Sequence, residues 1–274
     1  MKKPKAQGFG REIWVGALLV VLAAGGIGIG VGSLRTPTSL ERSVVATTLA
    51  PAPLPQSIRV ATFNIHGGRD GSGKKDLALT ARTITGFNFI GMQEVTNPYF
   101  EDDQAQQLGK LTDMKSEFFP SERQYWRDAF GNAMLTSLPV YSWERFPLLA
   151  LDEDSRRNAA IVKLGDKQVT VIVTHIARHE DQYQQLKQVS DMFLAQTGPT
   201  ILMGDFNATS QHPVLRQLLG TRGVVSALDL KHPELSGKHI DWIFVRNMNV
   251  IDAGTRDMGA SDHPLVWAEL GFIE

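Results

Sequence analysis

The chain has 274 residues, with 28 Lys plus Arg against 29 Asp plus Glu and a formal net charge of −1. That length allows one large core with further segments, and the balanced charge argues against a surface devoted to duplex DNA, which calls for a basic face. No cysteine is present, so disulfides and thiolate metal sites are excluded and any metal must take oxygen or imidazole ligands.

Residues 1–12 carry Lys2, Lys3, Lys5 and Arg11 against Glu12. No residue from 13 to 31 is charged, and the segment 13–32 has about the length needed to cross a bilayer. Basic residues ahead of it predict a cytoplasmic N-terminus, a single-pass anchor in the cell membrane and an exported remainder. Two alternatives stay open: a cleaved leader, with small residues at 30–33 near the cut, which would leave a secreted protein, and a buried helix, which six glycines from 16 to 32 would weaken. Residues 33–56 are rich in Pro, Thr, Ser and Ala and read as an extended linker. The folded domain is expected over 57–274.

Within that domain, 58–65 reads as a strand and 76–84 as a helix with Asp76 as its cap. A second strand over 87–95 ends in Gln93-Glu94, and 102–111 has helical spacing. Strands are expected at 132–137 and 140–149, then a hairpin of 159–164 and 169–175 about Gly165-Asp166. The segment 180–194 places Tyr183, Leu186, Val189 and Phe193 on one helical face, a core stripe. Ile201, Leu202 and Met203 form a short apolar run, as in a strand covered on both faces. Gly204 ends it, and Asp205 and Asn207 follow. A short helix over 213–219 and strands at 240–245, 250–253 and 264–270 complete the chain. Short strands interspersed with helices throughout suggest two packed sheets flanked by helices.

Polar residues recur where strands begin or end: Asn64, Gln93-Glu94, Thr174-His175, Asp205 with Asn207, His239 to Asp241, and Ser261-Asp262-His263. Strand ends on one rim of a sheet can meet in space though distant in sequence. Each also has a structural reading: an Asx turn at 205–207, an exposed Glu94, a hydrogen-bonded core histidine at 175, a turn at 261–263. Their joint occurrence favours a site, and oxygen donors without thiolates suit Mg²⁺ or Mn²⁺.

The motifs Thr62-Phe63-Asn64, Gln93-Glu94, Gly204-Asp205-Phe206-Asn207, Ile240-Asp241-Trp242-Ile243 and Ser261-Asp262-His263-Pro264 resemble, in order, those of the endonuclease/exonuclease/phosphatase superfamily. The resemblance covers 57–270. It implies a four-layered α/β sandwich and metal-assisted attack of water on phosphorus. By it, Glu94 is expected to hold the metal with Asn64, and Asp262 to ligate it or support a ligand. Asp205 would orient or deprotonate the water, Asn207 would donate to phosphoryl oxygens, and His263 would act at the phosphate with Asp241 behind its ring. The Thr174-His175 pair is similar to the deoxyribonuclease, sphingomyelinase and deadenylase branches, and His175 would stabilise the pentavalent phosphorus or protonate the leaving oxygen. Pancreatic-type deoxyribonucleases place a glutamate where this chain has Gly131-Asn132, so Asn132 is expected to contact phosphate instead. Arg156, in Arg156-Arg157-Asn158, is a further phosphate candidate, with a solvated charged loop as the alternative. The expected substrate is a phosphodiester, in nucleic acid or in a phospholipid. The rival reading is a catalytically silent phosphate- or lipid-binding module on the same scaffold.

Overall fold

The structure is a computed structural model that describes residues 35–44, 52–98, 100–124 and 127–273. The expected basic segment 1–12 and membrane span 13–32 lie outside the described residues. Among the described residues no helix is long and apolar enough to cross a membrane.

Among the described residues fourteen strands run in chain order: β1 Arg35–Pro37, β2 Glu41–Val44, β3 Ser57–Asn64, β4 Phe89–Thr96, β5 Lys115–Gln124, β6 Arg127–Thr136, β7 Val140–Pro147, β8 Asn158–Leu164, β9 Val169–His175, β10 Thr200–Asp205, β11 Val225–Ser226, β12 Asp241–Arg246, β13 Met248–Arg256 and β14 Leu265–Phe272. They form two seven-stranded sheets, ordered β1-β5-β6-β4-β3-β14-β13 and β11-β12-β10-β9-β8-β7-β2. Each sheet has one parallel pair, β3 with β4 and β9 with β10, and is otherwise antiparallel. A parallel pair needs a crossover. Helix α1, Leu77–Thr83, makes the first, and a second helix, α2, Gln104–Thr112, follows β4; α3, Gln182–Leu194, makes the other crossover.

Alternation along the strands builds the layers. On β3, Ile58 and Val60 face the other sheet while Ala61 and Phe63 face α1 and α2. On β10, Ile201 and Met203 point between the sheets and Leu202 points to α3. The central core thus packs sheet on sheet, and a helix layer covers each outer face, which is the expected four-layered sandwich. Gly91 marks how closely the sheets meet, since a Cβ there would lie 3.0 Å from Met203 Sδ and Val173.

Several expectations shift at the edges. Asp76 caps α1 as expected, accepting from Leu79 N at 2.8 Å. Tyr183 is half exposed, and Gln185 takes a buried place on α3 beside Leu186, Val189 and Phe193. The stretch 115–131 forms most of a hairpin, β5 with β6, where no strand is evident from sequence; Pro120 and two register shifts interrupt its pattern. The expected linker 33–56 contributes one edge strand to each sheet: β1 pairs with β5 and β2 with β7.

Candidate active site

The two parallel pairs end on the same rim. Asn64 lies opposite Gln93, and Asp205 lies between His175 and Asp241 in adjacent strands. The segment 261–263 leads into β14, antiparallel to β3, so it returns to that rim. Gly204 allows β10 to run tight against β9: its φ is +154°, and a Cβ there would lie 2.0 Å from Thr174 O. A bulge between Met92 and Val95 takes Gln93-Glu94 out of the β4–β6 register, and Glu94 adopts φ 57°. That kink re-aims a carboxylate at the rim.

Asp205 is the centre. It is fully buried, and its Oδ2 accepts from Asn64 Nδ2 at 3.0 Å and lies 3.5 Å from His175 Nε2 and 3.9 Å from His263 Nε2. Its Oδ1 accepts from Asn207 N at 2.9 Å. Asn64 Nδ2 also donates to Glu94 Oε1 at 3.1 Å. Asp241 Oδ2 meets His263 Nδ1 at 2.8 Å. A cleft of about 760 Å³ beside them is lined by Glu94, His175, Asn207, Asp262 and His263, together with Arg157 and Arg178.

Burial, and then the charge of Asp241, pushes the Asp205 carboxyl up to about 6. Burial works to lower His263, yet the hydrogen bond and charge of Asp241, joined by Asp205 and Asp262, carry it up to about 9. Burial holds His175 well below its ordinary value, reinforced by Arg157, His263 and Arg178. At neutral pH His263 is therefore an imidazolium and His175 a neutral ring.

Eight of the expected residues meet at this rim: Asn64, Glu94, His175, Asp205, Asn207, Asp241, Asp262 and His263. Their surroundings refine two expectations. The Asn207 amide nitrogen is engaged by Ile176 O at 2.9 Å and His175 Nε2 at 3.2 Å, while Arg178 Nε donates to its Oδ1 at 2.8 Å. It orients His175 rather than being open to a phosphoryl oxygen. Asp262 is more than half exposed, with its Oδ1 3.6 Å from His66 Nδ1.

Two expectations are corrected. Asn132 is buried and its amide nitrogen donates to Asn158 O and Oδ1 at 3.0 and 2.9 Å. Asn158 in turn donates to Phe119 O and Ser121 Oγ, so this pair knits β5, β6 and β8 together instead of facing the cleft. Arg156 pairs with Glu153 at 3.0 Å and lines a separate hollow of about 220 Å³. Its neighbour Arg157 faces the cleft, stacked 5.6 Å over Phe130, whose ring lies 6.3 Å from His175. Sequence reasoning also missed Arg178, in the β9–α3 loop; the signal was a cation three residues after His175 on a loop that must leave the strand end at the rim.

The ligand atoms of Asp205, Asp241 and His263 lie within 4.8 Å of one another, and Glu94 is bridged to Asp205 by Asn64. Asp241 Oδ1 is buried without a hydrogen-bond partner among the described residues. Converging carboxylates, one of them raised by another, are eased by a hard cation. The residues fit one.

The fold is similar to that of an endonuclease/exonuclease/phosphatase from Beutenbergia cavernae, with a TM-score of 0.63 and 18% identity over 80% of this chain and 72% of that one. It is also similar to the human Nocturnin catalytic domain, solved with bound sulfate, with a TM-score of 0.63 and 20% identity over 87% of this chain and 99% of that one. At such identities the likeness is one of fold. A UPF0294 protein of Yersinia pseudotuberculosis is 32% identical over 142 residues, 47% of this chain and 54% of that protein. The chain thus spans about half the length of the curated relatives it matches. The family model described as "Endonuclease/Exonuclease/phosphatase family" matches residues 61–263, most of the chain and every residue gathered at the rim, and the chain belongs to that family.

Proposed function

We propose that this chain is a divalent-metal-dependent phosphodiesterase, most simply with Mg²⁺ and with Mn²⁺ as an alternative. The phosphoester hydrolase fold supports the broad reaction class, and one observation carries the rest. A buried carboxylate, Asp205, is poised near neutrality while a charged imidazolium, His263, stands 3.9 Å away at the same cleft. Glu94, with Asn64 beside it and Asp262 across the rim, would hold the metal, which when bound supplies charge neutralisation at phosphorus.

Asp205 accepts the proton of the attacking water, since a base near pH 7 combines availability with driving force. His263 presents its Nε2–H to a phosphoryl or leaving oxygen, and Asp241 holds the ring and its charge. His175 is neutral and its Nε2 accepts from Asn207, so proton donation falls to His263. Arg157 supplies a guanidinium for the phosphate. A singly charged diester suits a cleft lined by both carboxylates and arginines.

The sequence supports a place for the reaction. With 13–32 as a single-pass anchor and 1–12 cytoplasmic, the catalytic domain lies on the exported side of the cell membrane. The test is hydrolysis of bis(p-nitrophenyl) phosphate by the purified chain with Mg²⁺ and then with a chelator. Loss of turnover in the chelator, and in Asp205→Ala and His263→Ala, is expected. Binding without turnover would support a silent module, and activity indifferent to both substitutions would remove the assignment.

A further inference from the structure

The proposed reaction leaves one arginine of the cleft unused. It calls on His263 and Arg157 at the scissile phosphate, and Arg157 is held for that place by its own loop, with Nη1 donating to Asp154 O at 3.0 Å and Arg156 O at 2.9 Å. Arg178, in the β9–α3 loop, is exposed at the same cleft. Its Nε donates to Asn207 Oδ1 at 2.8 Å. Its Nη1 and Nη2 make no hydrogen bond or ion pair with any described residue, although Asp152, Asp154 and Glu180 share the cleft. A guanidinium is planar and rigid, so the bond at Nε fixes its plane and leaves the two-nitrogen edge open.

The support behind this arginine is rigid. Asn207 is held at four points: its N–H donates to Asp205 Oδ1 at 2.9 Å, its amide nitrogen to Ile176 O at 2.9 Å, its Oδ1 accepts from Arg178, and its O accepts from Gln182 Nε2 at 2.8 Å. Asn207 takes a left-handed φ of 48°, and His179, next to Arg178, takes 71°. Such backbone persists where the surroundings over-determine it. The buried Gln185 ties the two arginine loops together: its Oε1 accepts from Ala177 N at 2.9 Å, and its Nε2 donates to Ser155 O at 2.8 Å. Arg157 and Arg178 are thus carried on loops fixed to each other, and both stand near enough to His175 to help hold its ring neutral. A cleft of about 760 Å³ is of a size to enclose a whole small molecule rather than one phosphate.

We infer that Arg178 is a specificity-determining residue whose open edge binds a second phosphate of the substrate, flanking the scissile diester on the His175 side of the cleft. The inference rests on the phosphodiesterase reading for the diester itself. Two charged N–H groups in a fixed fork match two oxygens of a phosphate, and an uncharged or cationic substituent would leave them unmet. The second phosphate can belong to the next link of a nucleotide chain or to a phosphorylated polyol ring, since the chemistry at Arg178 is the same for both.

Arg178→Gln isolates the fork. The Gln amide nitrogen occupies the same place along the side chain as the Arg Nε, so a donor to Asn207 is kept while the charge and both Nη groups are lost. The substrates are matched pairs that differ by one phosphate: the p-nitrophenyl ester of thymidine 5′-phosphate with and without a 3′-phosphate, and glycerophosphoinositol with and without a ring 4-phosphate. With Mg²⁺, the added phosphate should raise kcat/KM of the wild-type chain about tenfold or more in at least one pair, through KM rather than kcat. Arg178→Gln should bring that ratio to within about twofold of unity. Each ratio is taken within one protein, so a change in folded fraction cancels. The pair that gains names the source of the phosphate. No gain in either pair, or a gain that survives Arg178→Gln, overturns the second-phosphate site and leaves the phosphodiesterase reading standing. Calorimetry repeats the comparison without turnover, with thymidine 3′,5′-bisphosphate against thymidine 5′-phosphate and inositol 1,4-bisphosphate against inositol 1-phosphate. A chain inactive on every diester that still binds a bisphosphate more tightly through Arg178 keeps the site and refutes the phosphodiesterase reading, whereas equal binding within both pairs refutes the site.

Discussion

The charge that Asp241 places behind His263 can be removed without changing shape. Asp241→Asn keeps an acceptor for the ring Nδ1–H at the 2.8 Å position and deletes the anion. Burial then works on His263 with less opposition, and its value should fall from about 9 toward the ordinary 6.5. At pH 7.5 the imidazolium share would drop from nearly all to about one tenth. Turnover of a soluble diester at that pH should therefore fall about tenfold. The acid limb moves the same way. Asp241 is one of the groups that raises Asp205 to about 6, so its neutralisation lowers Asp205 and the whole bell-shaped profile shifts to lower pH. The assay is kcat/KM from pH 5 to 10, alongside an NMR titration of the His263 ring and a circular dichroism check of the fold. An alkaline limb that stays near 9 in the variant, or a ring that still titrates there, would refute the account of His263.

Three further outcomes are expected. Because Asp205 is raised from 3.8 to about 6, in the metal-free protein this group lends stability below about pH 4 that is lost as pH rises through 6; a cation bound at the neighbouring Glu94 should offset that loss, so excess Mg²⁺ should raise Tm by about 4 °C or more at pH 8 and by much less at pH 5, and an equal rise at both would count against a cation beside Asp205. Arg157→Gln should lower kcat/KM about tenfold or more, whereas Arg156→Gln should stay within about twofold; steady-state kinetics with the reverse ranking would restore Arg156 to the phosphate. Asn132→Ala should cost about 1–3 kcal/mol in denaturant unfolding, as Asn158 loses its donor, with kcat per folded molecule retained; a selective loss of kcat at full stability would return Asn132 to the site.

The chemistry of this site was legible in the sequence because its members are strand ends. A strand that stops in Asn64, His175 or Asp205 must present that group at a sheet rim, and a buried carboxylate or amide needs a partner. The neighbours that orient these groups were less legible. Whether Arg156 or Arg157 faces the cleft turns on the direction of one residue in a loop, which no periodicity encodes. The reading of Asn132 went wrong for a similar reason: a polar residue on a strand near the site looks the same in sequence whether it points at substrate or ties three strands together. The β5–β6 hairpin escaped notice because Pro120 and its bulges break the alternation that would reveal it.

The linear order of residues determined the layered α/β architecture, since short apolar runs buried on both faces can be satisfied only by helices packed on either side of paired sheets. It also determined the metal-compatible set of oxygen and imidazole donors, because without cysteine no other ligand class exists. Only the tertiary structure decided that residues 35–44 add one of the two edge strands to each sheet, with β1 on the β5–β6 hairpin. Edge pairing depends on which distant backbone is left with unpaired N–H and C=O groups, and that is a property of the assembled sheet, absent from any local stretch of sequence.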